Sequence, residues 1–68
     1  MYNKAIQGHP TRGEEIIQLL ESFGGKNRWH FKGTDSHRHF YIDTNGDIYC
    51  LPLDTYTGHR KIYTLECF

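Results

Sequence analysis

A chain of 68 residues makes one domain around one small core, because at this size folding hides only about 60% of the surface that the unfolded chain exposes. Eight basic residues balance eight acidic ones, which removes the electrostatic footprint of a protein that works on phosphate backbones. No apolar run approaches the roughly 20 residues of a membrane span, and the first residues hold no signal-peptide stretch, so a cytoplasmic protein with no membrane partner is expected.

Residues 1–10 alternate weakly, with Tyr2, Lys4 and Ile6 set against Asn3, Ala5 and Gln7, and read as an extended arm or an edge strand. Thr11-Arg12-Gly13-Glu14 then has the form of a capping box, in which the threonine hydroxyl accepts from an amide of the first turn and the glutamate reaches back. A helix over 12–23 follows: Ile16, Leu19, Leu20 and Phe23 recur on one face, while Glu14, Gln18, Glu21 and Ser22 take the other. Gly24-Gly25 supplies the left-handed residue that closes a helix.

Beyond the helix, apolar residues recur at every second position, and the aromatic and β-branched types that suit a pleated surface dominate. Strands are expected near 28–32, 38–44, 47–53 and 60–67, with loops at 33–36 and 54–58. The fold class is therefore α+β: one amphipathic helix packed on an antiparallel meander of three to four strands. Its expected core is Ile16, Leu20, Phe23, Trp29, Phe31, Phe40, Ile42, Ile48 and Ile62.

The turn Thr44-Asn45-Gly46 decides which side chains share a face. A two-residue Asn45-Gly46 turn would pair Asp43 with Ile48, whereas a three-residue loop with Gly46 left-handed pairs Ile42 with Ile48 and Phe40 with Cys50. The second register segregates apolar from polar side chains and is preferred. Asp43 to Asp47 also brushes against a calcium loop, but Ile48 and Asp54 stand where the glycine and glutamate of that loop belong.

In the preferred register the outer sheet face carries His30, His37, His39, Tyr41 and Tyr49, together with Leu51. Tyrosine combines contact area with a polar tip, so this aromatic and histidine face, or an exposed edge strand, is the expected surface for a protein partner or for self-association. Histidines two apart on one strand are a weak metal pattern, and Cys50 and Cys67 lack zinc spacing and read as free thiols; neither a metal nor another cofactor is expected. A catalytic alternative exists: His37 as general base, with Lys32 and Arg38 stabilising a phosphate, has the residue types for cutting RNA without a metal.

The order of helix, glycine, strand and loop, followed by Ser36-His37-Arg38-His39-Phe40, is similar to the HicA toxins over residues 12–52. That resemblance implies a fold like that of double-stranded-RNA-binding domains, an mRNA endoribonuclease activity, and His37 as the catalytic histidine. Asp35 stands where that family has a glycine, and the last residues read as a strand where it has a second helix. Over most of the chain, Glu15-Ile16-Ile17, Phe23-Gly24-Gly25-Lys26-Asn27, Phe40-Tyr41-Ile42-Asp43 and Asn45-Gly46-Asp47-Ile48 resemble small uncharacterised proteins of gut Bacteroidales and their phages. This second resemblance implies an accessory or host-interaction protein, and the leading expectation is a non-enzymatic interaction module.

Overall fold

The computed structural model describes residues 3–55 and 60–67. The elements run β1 (Lys4–Gln7), α1 (Gly13–Ser22), β2 (Arg38–Ile42), β3 (Ile48–Pro52) and β4 (Lys61–Tyr63). They form the expected α+β fold, with one helix against a four-stranded sheet in the order β3-β2-β1-β4. The sheet is mixed rather than an antiparallel meander, because β1 pairs antiparallel with β2 but parallel with β4. Residues 1, 2, 56–59 and 68 lie outside the described residues, and with them fall the start of the expected arm and most of the expected 54–58 loop.

Helix α1 buries Ile16, Ile17 and Leu20 against Ile6 of β1, Phe40 and Ile42 of β2, and Ile48 of β3. Its C-terminus closes with two backbone bonds, Gly25 N–H to the Leu20 carbonyl and Gly24 N–H to the Glu21 carbonyl, the paired pattern that satisfies the last carbonyls of a helix. The expected capping box is absent: the cap residue is Arg12, no side chain caps it, and the Thr11 hydroxyl lies 3.2 Å from His9 Nδ1. Arg12 instead pairs with Glu15 at 2.7 Å and with Glu66 at 3.0 Å, tying the start of the helix to the end of the chain.

The β2–β3 turn takes the three-residue form. Ile42 faces Ile48 and Phe40 faces Cys50, and Gly46 adopts φ 85°, a conformation open to glycine at no steric cost. The Asp43 carboxylate holds the loop by accepting from the backbone N–H groups of Asn45 (2.9 Å) and Asp47 (3.0 Å). The two aspartates at the loop mouth thus meet through a carboxylate and an amide rather than as opposed charges.

The expected strand at 28–32 is not one. Asn27 accepts from the Phe31 N–H at 2.9 Å and donates to the Phe31 carbonyl at 2.8 Å, so one side-chain amide makes the two bonds a neighbouring strand would make. The chain bends through His30, which sits at φ 56°, a region that histidine enters more readily than most residues. The vacated place in the sheet goes to β1, whose Ala5 and Ile6 are fully buried.

Of the expected core, Ile16, Leu20, Phe40, Ile42 and Ile48 are buried and Phe31 is packed against them. Phe23, Trp29 and Ile62 are exposed instead. Phe23 is the residue that ends the helix, Trp29 rides the bend that Asn27 stabilises, and Ile62 lies on the edge strand β4.

Candidate functional site

The sheet has two faces of different character. On the outer face, away from α1, His39 is fully buried and Tyr41 nearly so. Their rings lie 6.0 Å apart, and Gln7 of β1 and Leu51 of β3 flank His39 in the ladder. Arg60, the residue before β4, places its guanidinium 4.3 Å from the Tyr41 ring centroid. Arg60 therefore lies over the outer face at Tyr41.

Burial sets the protonation of this face. Desolvation pushes His39 below its usual 6.5, and the Arg60 charge pushes in the same direction. Desolvation also raises Tyr41, with Arg60 offsetting part of the effect. Neither His39 ring nitrogen has a hydrogen-bond partner among the described residues, which marks His39 as a neutral residue held inside the fold.

Of the five residues expected to make an outer binding face, His39, Tyr41 and Tyr49 lie together, with the Tyr41 and Tyr49 rings 6.1 Å apart, while His37 and His30 do not join them. His39 and Tyr41 are buried, Tyr49 is 42% exposed at the sheet edge, His37 is exposed just ahead of β2, and His30 lies in the bend. Alternation along β2 and β3 could show which side chains share a face, but Arg60, which lies over Tyr41, comes from outside both strands.

A different surface gathers functional groups. Between the 31–35 segment and the β2–β3 hairpin lies a cleft of about 470 Å³, lined by Phe31, Lys32, Gly33, Thr34, Asp35, Arg38, Phe40, Tyr49 and Cys50. Its aromatic walls meet edge to face, Phe31 to Phe40 at 5.9 Å and Phe31 to Tyr49 at 6.1 Å. The wall formed by 31–35 is anchored on the helix: Gly33 sits at φ 69° and packs on Gly13 so closely that a Cβ on either would meet the other segment's backbone. Arg38 pairs with Asp35 at 3.3 Å and lies 4.0 Å from the Cys50 sulfur.

Of the three residues in the catalytic alternative, Lys32 and Arg38 line this cleft and His37 does not. The His37 N–H donates to the Asp35 carboxylate at 2.9 Å, placing an acidic group beside the proposed catalytic position. Among the described residues no group of three histidine, cysteine or carboxylate side chains could hold a metal ion.

The cleft borders an open sheet edge. Asp43 donates to Asp47 O at 2.8 Å and Leu53 to His37 O at 3.0 Å, so in the alternating antiparallel pattern Tyr49 and Leu51 bond β2 while Ile48, Cys50 and Pro52 turn their backbone groups outward. The Ile48 N–H is taken by the Lys26 carbonyl at 2.8 Å in a short parallel bridge. The chain then turns away at Asn27, and the Ile48 carbonyl and both Cys50 backbone groups face out with no partner among the described residues. Pro52, at the next outward position, has no N–H to offer. A proline inside a strand pattern marks an edge, and this was the signal in the sequence that could have located the site.

No family model, curated protein or solved structure matches this chain. Among the described residues no helix is long and apolar enough to cross a membrane.

Proposed function

We propose that this protein is a small non-enzymatic interaction module, an accessory or host-interaction protein of the cytoplasm, that binds an extended segment of a partner protein along the free edge of β3. The observation that carries this reading is the outward pair of Cys50 backbone groups, with the Ile48 carbonyl beside it, next to an aromatic-lined cleft. Strand addition obtains affinity from main-chain hydrogen bonds and specificity from pockets beside the edge. Lys26 already pairs with this edge for one bridge, and an added parallel strand would continue the line it begins.

The same geometry favours a foreign strand over a second copy. In an antiparallel pair of β3 edges centred on Cys50, the next bonded position would set Pro52 against Ile48. Proline offers no N–H, and the Ile48 N–H is already taken by Lys26. A homotypic pair would therefore stop at two hydrogen bonds, the kind of blunting by which natural edges avoid self-pairing. The free thiols of Cys50 and Cys67 suit the reducing compartment proposed here.

The reading is tested by selecting random heptapeptides on the immobilised protein and following amide hydrogen exchange in the complexes. Bound peptide should slow exchange at the Cys50 amide and leave Tyr49, already bonded to β2, unchanged. Failure to recover any peptide, or recovery of peptides that leave Cys50 exchange unaltered, refutes it.

A further inference from the structure

Main-chain pairing accepts almost any extended segment, so selectivity must come from the side chains beside the edge. The cleft has the volume of a small-molecule pocket, at about 470 Å³, within the roughly 300–1,000 Å³ range of specific sites. Phe31 and Tyr49 touch edge to face at 6.1 Å and together with Phe40 form one aromatic wall, against which a partner's aromatic ring can pack.

The charges around the cleft are unequal in their commitments. Arg38 is compensated by Asp35 at 3.3 Å. Lys32 is exposed and pairs with no carboxylate among the described residues. Glu14 lines a smaller groove that shares Phe31, Lys32 and Thr34 with the cleft, and accepts a hydrogen bond from Gln18 at 3.4 Å. Among the described residues, one positive charge at the cleft therefore has no carboxylate partner.

We infer that the cleft is the selectivity pocket for the added strand, receiving an aromatic side chain from a partner segment that carries an aspartate or glutamate two positions away, on the same face of the extended segment, the carboxylate meeting Lys32. This inference rests on the strand-addition reading. A free aryl carboxylate shares the same chemistry, but it would leave the Cys50 backbone groups unused, so a peptide is the occupant proposed.

The test compares heptapeptide pools recovered on the wild-type protein and on Lys32→Glu, with phenylacetate as a separate probe. Lys32 is exposed, so the variant should fold, and a thermal melt checks this. The wild-type pool should be enriched in an aromatic residue with an acidic one two positions away, and the Lys32→Glu pool should exchange the acidic residue for a basic one. A peptide selected on the wild type should bind the variant at least about threefold more weakly, with Cys50 amide protection retained in the complex. Pools of the same composition, with Cys50 protected in both, overturn this inference and leave strand addition standing. Recovery of no peptide by the wild type removes both. Phenylacetate perturbing the Phe31 and Tyr49 ring resonances at concentrations comparable with the peptide overturns the peptide assignment in favour of a free acid.

Discussion

Replacing the buried histidine of β2 should make this protein more stable and less sensitive to acid. His39 is fully buried, neither ring nitrogen has a partner among the described residues, and a buried polar group left unsatisfied costs about 1–3 kcal/mol. Leucine in its place keeps an apolar body between Gln7 and Leu51 and removes both nitrogens. His39→Leu should therefore raise the unfolding free energy at pH 7.5 by about 1–3 kcal/mol, a large part of the roughly 3–10 kcal/mol expected for a chain of this length.

The acid limb follows from the same geometry. Burial, and then Arg60, hold His39 below its usual 6.5 in the folded protein, so on acidification the unfolded chain takes up a proton that the native state refuses. The contribution is complete above the unfolded value and is lost as pH falls below about 6.5, with a limiting slope of about 1.4 kcal/mol per pH unit for one proton. Urea denaturation of both proteins at pH 7.5, 6.5 and 5.5 measures the difference directly, since the other titrating groups are common to the two. A variant less stable than wild type at pH 7.5, or two pH dependences that superimpose, would refute the assignment of His39 as a neutral, unpartnered core residue.

Two further substitutions test the packing and the turn. Leu20→Ala should cost about 2–5 kcal/mol, because Leu20 is fully buried where α1 meets the sheet; a denaturation midpoint close to wild type would contradict that placement. Asp43→Ala should cost about 1–3 kcal/mol, since one carboxylate oxygen accepts from both the Asn45 and Asp47 amides, and faster amide exchange at those two residues should accompany the loss.

Local periodicity was enough to read α1, the β2–β3 hairpin and its register. The apolar stripe of the helix and the alternation around Thr44-Asn45-Gly46 are carried by residues close in sequence, and a slip by one position in the hairpin would have set an aspartate against an isoleucine. The capping box failed because a short motif competes with alternatives that only the fold supplies: here Arg12 has Glu66, more than fifty residues away, as a second partner. Residues 28–32 have strand composition, but the Asn27 side chain satisfies the backbone of Phe31 and β1 fills the sheet instead. The same limit governed the candidate site. Alternation placed His39 and Tyr41 on the outer face, yet their burial and the placement of Arg60 over Tyr41 are set by tertiary structure alone. The open edge of β3 exists because Lys26 pairs for a single bridge before Asn27 turns the chain away, and the balance between a side-chain amide and a strand partner is decided in three dimensions rather than by the pattern of residues along the chain.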